Sequence, residues 1–532
     1  MTTAHQDTFC HDHMPFRGEW PEFRFDLPEL TYPGQLNAAA ELLAGPPDDK
    51  PCISGSGMTW NYGELRRHAT NVASVLADDF GLVPGNRVLL HGPNEPWLVA
   101  CWLGVLLAGG VVVTTMPMLR AAEIGAIVEV AQPAIALCHR RFTDAMPVDS
   151  TVVAYAGDAE LTARCAAVDG DFTPVRTAAD DVALLAFTSG TTGRPKATMH
   201  VHRDLLAIAD TFGGQVVGIE PSDVVVGSPP IGFTYGLGGL VVFPLRAGAR
   251  IELVDRPTPE RLADAVAEHG ATVLFTAPTA YRAILAAGKA DRLACLRRAV
   301  SAGEPLPADV WHAVHRATGL KLIDGIGSTE MLHVFVSAAD DDIRPGATGR
   351  AVPGYRVAVL DDDGNPVPDG SPGHLAVQGP TGCRYLSGDR QSHYVRHGWN
   401  YTGDIYVRDR DGYFTYLARS DDLIVSAGYK ISGYEVEQVL LGHPGVAECA
   451  VVGRPDYERG SVVAAYVVPR PGAALDAAGL QQFAKQAIAP YKYPRVVEFV
   501  SALPRTSTGK VQRYVLRNRP AMPGTVPEGQ GV

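Results

Sequence analysis

Cysteine is sparse and carries no pattern. The chain has eight in 532 residues and no C-x-x-C pair, so neither a zinc site nor a disulfide framework is indicated. That usage fits a reducing cytoplasm. Positive charge is also short. Forty-six Lys and Arg against 58 Asp and Glu leave a net charge of −12, which argues against a nucleic-acid or anionic-membrane partner. Any polyphosphate must then be met by local positive charge. No charged start precedes an apolar run at the N-terminus, so no signal peptide is expected. One uncharged stretch, between Glu95 and Arg120, is long enough to span a bilayer. Asn94 and Pro96 mark a helix start inside it, Gly109-Gly110 breaks it, and Val111-Val112-Val113-Thr114-Thr115 is β-branched. A buried helix and then a buried strand are expected there, and no membrane contact. Cys10, His11 and His13 cluster, but no second ligand pair follows at zinc spacing, so a mobile, solvated terminus is expected.

What is present is organised around Thr188-Ser189-Gly190-Thr191-Thr192-Gly193-Arg194-Pro195-Lys196. It follows an apolar run, 182–187, that reads as a buried strand. Backbone N–H groups and hydroxyls on such a loop can wrap an anion, and Lys196 adds charge. It is not a Walker A loop: Lys196 follows a proline, and Ala197 stands where Ser or Thr would hold magnesium. The order T-S-G-T-T-G-x-P-K resembles the phosphate loop of the adenylate-forming superfamily. That group comprises acyl- and aryl-CoA synthetases, peptide-synthetase adenylation domains and luciferases.

Along the chain, residues 1–50 read as a lead-in packed on the body, with one helix at 36–43. Helices are expected at 62–80, 123–130 and 202–212, and strands at 87–91, 134–138, 224–228, 273–276 and 298–301. Alternation with short connections argues a mostly parallel, doubly wound α/β sheet. Residues 345–420 are dense in Gly, Pro and Tyr and read as short antiparallel strands, a small β-barrel-like subdomain. A compact α+β pattern follows, with helices at 433–441 and 478–488 and strands at 446–453, 461–469 and 495–499.

The superfamily resemblance extends over nearly the whole chain. It implies an adenylation domain, 1–420, and a small mobile C-terminal domain, 421–532, carrying the catalytic lysine. Phe233-Thr234-Tyr235-Gly236 resembles the acid-pocket motif, and Gly303-Glu304-Pro305 the adenine-contacting turn. In Ile326-Gly327-Ser328-Thr329-Glu330, the resemblance implies that Thr329 meets the α-phosphate and Glu330 holds magnesium. Ile326 stands where the family usually has a stacking tyrosine, so contact with the base would be apolar. Tyr401-Thr402-Gly403-Asp404 resembles the ribose clamp, with Arg419 as a second contact. Asp421 matches the hinge, Gly428 lies in the channel-lining loop, and Thr508-Gly509-Lys510 presents the lysine. ATP, Mg2+ and coenzyme A are the implied small molecules.

The stretches Gly232-Phe233-Thr234-Tyr235-Gly236-Leu237-Gly238 and Ser328 through Phe335 look like the benzoate-CoA ligase subgroup. Trp20 to Leu43 resembles 2-aminobenzoate-CoA ligases. Tyr235, Gly327, His333 and Val334 would then wall a short flat pocket, and Thr234 can hydrogen-bond an ortho amino or hydroxyl group. The expected reaction is activation of 2-aminobenzoate, or a related benzoate, to the adenylate and then the thioester. A separate carrier protein stays open as the acceptor.

Overall fold

The computed structural model describes residues 3–147, 151–189, 195–387, 390–426, 429–456, 459–505 and 511–519. Packing divides the chain into two compact units. The first is Met1–Ala358 with Ala376–Thr402 and Arg410–Phe414. The second is Val359–Leu375, Gly403–Asp409 and Thr415–Val532.

The first unit holds two large sheets. One has six strands in the spatial order Val152–Tyr155, Ile135–His139, Arg87–His91, Val111–Thr115, Val182–Ser189, Pro195–Val201. Its strands pair in parallel except for the last, which runs antiparallel to Val182–Ser189. The other has nine strands. Its parallel centre is Leu322–Gly327, Arg298–Ala302, Val273–Thr276, Val224–Gly227, Arg250–Glu252 and Pro51–Gly55, with antiparallel strands at both edges. Buried on both faces, these strands read as runs of Val, Leu and Ile rather than as alternation.

Helices cover the sheets for legible reasons. Asn61 and Glu64 form a capping box at the start of Tyr62–Ser74. Thr258 caps Pro259–His269, which buries Leu262, Ala263 and Val266 and ends at Gly270. Pro96–Leu107 is buried all round. Its 12 residues span about 18 Å, too short for a bilayer. Among the described residues no helix is long and apolar enough to cross a membrane.

The strand Pro195–Val201 was not expected from sequence, and two expected helices change from α to π part-way. Tyr62–Ser74 widens into a π turn at Val75–Asp79, and His202–Ile208 into another at Ala209–Val217. The N-terminus corrects an expectation too. It is not a mobile, solvated tail: Thr3 and Ala4 bond to Asp181, Asp7 pairs with Arg87, and Cys10 is buried. The guanidinium of Arg87 lies 4.2 Å from the Phe9 ring centroid, so one cation anchors both the acid and the ring.

Residues 345–420 form short strands as expected, among them Val395–Arg396 running antiparallel to Trp399–Asn400 within Trp399–Arg408. In the second unit Val446–Asp456, Gly460–Pro469 and Val496–Phe499 make a three-stranded sheet. Gly433–Leu441 and Ala477–Ala487 pack on it over a core that includes Val436, Leu440, Val463, Leu480 and Ala484.

Candidate active site

The described ends of the expected phosphate loop lie on two antiparallel strands, where Thr188 pairs with Lys196 and Ser189 with Pro195. Gly190, Thr191, Thr192 and Gly193 lie outside the described residues, as do Gly428 and Lys510. Alternation along Pro195–Val201 divides its side chains. Ala197, Met199 and Val201 enter the core, so Lys196, Thr198 and His200 share the other face. The strand's free edge is covered by 384–386: Met199 N–H donates to Arg384 O at 2.7 Å, and Leu386 N–H to Ala197 O at 2.9 Å. Burial lowers the pKa of the Lys196 ammonium; Arg390 adds to this, and the Glu330 carboxylate opposes it.

The turn after Leu322–Gly327 lies against that polar face. Gly327 is required there, because a Cβ would stand 2.6 Å from His333 O. Thr329 is buried, and its carbonyl accepts from His200 Nε2 at 2.8 Å. Glu330 Oε1 accepts from the Tyr385 hydroxyl at 2.6 Å. Ser328 Oγ is 3.0 Å from the Tyr394 hydroxyl, and Thr381 Oγ1 donates to Met331 O at 2.8 Å. Behind His200 stand two further buried charges. Arg384 Nη2 donates to Asp204 Oδ2 at 2.7 Å, and His200 Nδ1 lies 3.7 Å from the same oxygen. Burial alone would push Asp204 up, but Arg384 and His200 outweigh it and hold the carboxyl below its ordinary value.

The expected acid pocket is built from the second sheet's strand ends. Phe233 is half-buried; Thr234, Tyr235 and Gly236 are buried in the short helix Thr234–Leu237. The Tyr235 hydroxyl lies 3.2 Å from Thr276 O and 3.4 Å from Val300 O, pinning its ring to two strands. His333 is ringed by Phe243, Phe212 and Tyr235, with centroids at 4.6, 5.4 and 5.7 Å. Its Nε2 lies 3.4 Å from Tyr235 O. A carbonyl only accepts, so Nε2 carries the proton and Nδ1 is a bare acceptor. Among the described residues that buried Nδ1 has no partner. Burial lowers the His333 pKa to about 3, so the ring is neutral. Gly238 makes room for it: a Cβ there would stand 2.3 Å from His333 Cδ2. Val334 is buried at the start of Val334–Ser337.

The remaining expected residues fall at strand ends. Gly303, Glu304 and Pro305 follow Arg298–Ala302, and Glu304 Oε1 accepts from Thr279 N–H at 2.8 Å. Ile326 is half-buried on Leu322–Gly327. In the second unit Arg419 Nη1 donates to Asp404 Oδ1 at 3.1 Å, and its Nε lies 3.8 Å from Asp421. Asp421 itself is exposed.

Magnesium fits one part of this arrangement. Among the described residues no three His, Cys, Asp or Glu converge as a metal cage. Magnesium commonly takes only one or two protein carboxylates and shares phosphate oxygens. Glu330 suits that use, since a carboxylate offers about four lone-pair sites and Tyr385 takes one.

Sequence reasoning missed His200, Asp204, Arg384, Tyr385 and Tyr394. One signal was available: Lys196, Thr198 and His200 alternate with apolar residues, a strand pattern. The others are brought in by contacts far apart in sequence and leave no local trace.

Fold and site together define an adenylate-forming enzyme, with the antiparallel strands Val182–Ser189 and Pro195–Val201 beside a Thr-Glu turn in an α/β body. The AMP-binding enzyme family model matches residues 40–385, and the AMP-binding enzyme C-terminal domain matches 435–510. The benzoate–CoA ligase of Thauera aromatica is 34% identical over 92% of this chain and 97% of its own length. Human mitochondrial acyl-coenzyme A synthetase ACSM3 is 32% identical over 94% of this chain and 91% of its own. The crystal structure of the anthranilate CoA ligase AuaEII with anthranoyl-AMP superposes with a TM-score of 0.87 at 30% identity, covering 92% of this chain and 98% of that one. The chain therefore belongs to the AMP-binding enzyme family and is an AMP-forming acid–thiol ligase.

Proposed function

We propose that this ligase activates 2-aminobenzoate, or a closely related benzoate, to its acyl-adenylate and then to the coenzyme A thioester, releasing pyrophosphate and AMP. The observation that carries the choice of acid is the bare Nδ1 of His333 among the rings of Phe212, Tyr235 and Phe243. An unmet buried acceptor is costly. An ortho amino group supplies the donor it lacks, and an unsubstituted benzoate does not. The similarity to a benzoate–CoA ligase and to an anthranilate CoA ligase supports the same reading.

The chemical difficulty is the meeting of two anions, a carboxylate and ATP's α-phosphate. In the proposed mechanism the loop Thr188 to Gly193, with Lys196, holds the β- and γ-phosphates. Thr329 donates its hydroxyl to the α-phosphate. Glu330 would hold magnesium, which when bound neutralises charge on the phosphate oxygens. Gly303, Glu304, Pro305 and Ile326 form the adenine surface, and Asp404 with Arg419 holds the ribose. Phe233, Thr234, Tyr235, Gly236, Gly327, His333 and Val334 wall the ring. Lys510 bridges carboxylate and α-phosphate as the new bond forms. The domain of residues 421–532 then turns about Asp421 and brings the loop at Gly428 for thiol attack. All eight cysteines are free, which supports a cytoplasmic setting.

A panel of benzoic acids assayed for AMP release with coenzyme A tests the reading, and 2-aminobenzoate is expected to turn over fastest. Faster turnover of a medium-chain fatty acid than of every benzoate ends it. Replacing coenzyme A by a phosphopantetheinylated carrier protein decides the acceptor.

A further inference from the structure

We infer that His200 is a positioning residue for the adenylation step. It locks the Thr329–Glu330 turn to the strand that carries Lys196. The inference rests on the reading of those three residues given above.

His200 and Lys196 lie on one face of Pro195–Val201, four residues apart, so about 13 Å of rigid strand separates them. At one end of that lever is the ammonium meant for the outer phosphates. At the other, His200 Nε2 donates to Thr329 O at 2.8 Å. The carbonyl of Thr329 belongs to the peptide that joins it to Glu330. Fixing it fixes where the Thr329 hydroxyl and the Glu330 carboxylate start from. A histidine wholly buried on a strand must find partners for its ring nitrogens or leave them bare at a cost. Its companions here are charged. Asp204 and Arg384 are also buried, and Arg384 is roofed by Phe23 at 4.6 Å and Trp20 at 5.7 Å. Asp204 Oδ2 also accepts from Val201 N–H at 3.2 Å, which sets the carboxylate beside the imidazole. The carboxylate thus packs beside the ring, 3.7 Å from Nδ1 and beyond hydrogen-bond reach, while the outer nitrogen holds the turn. The proposed mechanism assigns none of His200, Asp204, Arg384, Thr329 and Glu330 to the acid or the thiol, so the lock should matter to the ATP half of the reaction alone.

The test compares two polar replacements of similar cost to folding. Gln places an amide donor near the position of Nε2, and Asn is one carbon too short. Pyrophosphate–ATP exchange is measured, together with thioester formation from supplied aryl-adenylate and the melting temperature. His200→Asn is expected to lower exchange about tenfold to a hundredfold, the scale of a misplacement near 1 Å. Thioester formation from the supplied adenylate should stay within about threefold, and His200→Gln should restore most of the exchange. Asp204→Asn should lower exchange in the same direction by less. Equal exchange in the Gln and Asn variants overturns the inference. So does a parallel fall of exchange, thioester formation and melting temperature, which marks a merely structural histidine. Wild-type exchange with 2-aminobenzoate, benzoate and a medium-chain acid is run first and decides the substrate reading by itself. The His200 series then uses whichever acid supports exchange. ATP affinity by calorimetry needs no acid and is expected to rank the variants alike.

Discussion

Glu330 and His333 are three residues apart and sit in opposite kinds of wall. Around Glu330 the polar groups are met by side chains from elsewhere: Tyr385 donates to its carboxylate, His200 to the Thr329 carbonyl, Thr381 to the Met331 carbonyl. Around His333 the walls are Phe212, Tyr235 and Phe243, and one ring nitrogen has no partner among the described residues. The first wall is over-determined by directional bonds, the second by close packing. Under the proposed reading this divides the labour. The polar wall serves ATP, common to every reaction of the class, and the aromatic wall serves the acid, which differs from one ligase to the next. An interaction that must never vary is best fixed by several bonds at once, and a pocket that must discriminate is best left with one unmet demand.

The division can be broken most sharply from the polar side. Lys510→Ala is expected to slow pyrophosphate–ATP exchange by about 10²–10³, the usual loss of one transition-state donor. Thioester formation from supplied adenylate should continue. A loss under about threefold removes Lys510 from the mechanism. Next in size is Tyr385→Phe, which takes a charge-assisted bond from Glu330 worth about 1.5–3 kcal/mol. Exchange should fall about tenfold or more, with the ranking of benzoic acids unchanged. A changed ranking would show that the two walls are not separate.

Much of this was legible beforehand, and the omissions share a cause. The loop Thr188 to Lys196, the Thr329–Glu330 pair and Tyr235 stand out in the sequence because residue type and order within a short window carry the resemblance on which their proposed roles rest. The strand Pro195–Val201 does not: it opens with proline, and its buried face holds a histidine and a threonine. Its one local signal is the alternation of Lys196, Thr198 and His200 with apolar residues, and its pairing with Val182–Ser189 fixes it as a strand. Arg384 and Asp204 lie 180 residues apart in sequence, so nothing local announces either. The π turns at Val75–Asp79 and Ala209–Val217 leave the apolar periodicity helix-like while the chain widens. Sequence reads chemistry carried by neighbours, and misses support supplied across the fold.

The aromatic wall yields the two smaller effects, both through His333→Leu, which keeps the volume and drops the nitrogens. The first is on stability. Burial takes the His333 pKa from 6.5 to about 3. Between those values the unfolded chain binds a proton that the native state refuses, so stability falls as pH drops through that window. At about pH 5 the penalty is roughly 2 kcal/mol relative to neutrality. The Leu variant should escape it, so the difference in unfolding free energy between the two proteins should shift in the variant's favour as pH falls from about 7 to about 5. A constant difference would mean that the imidazole protonates without cost.

The second is on choice of acid. With Nε2–H committed to Tyr235 O, only Nδ1 is left to read a ring substituent, and it reads donors. Leu removes that reader, so kcat/KM for 2-aminobenzoate relative to benzoate should fall about tenfold, the value of roughly one hydrogen bond. Benzoate itself, offering no donor, should be turned over within about threefold of the wild-type rate. If both acids lose equally, His333 acts as a steric wall and the discrimination lies elsewhere, with the hydroxyl of Thr234 the next group to remove.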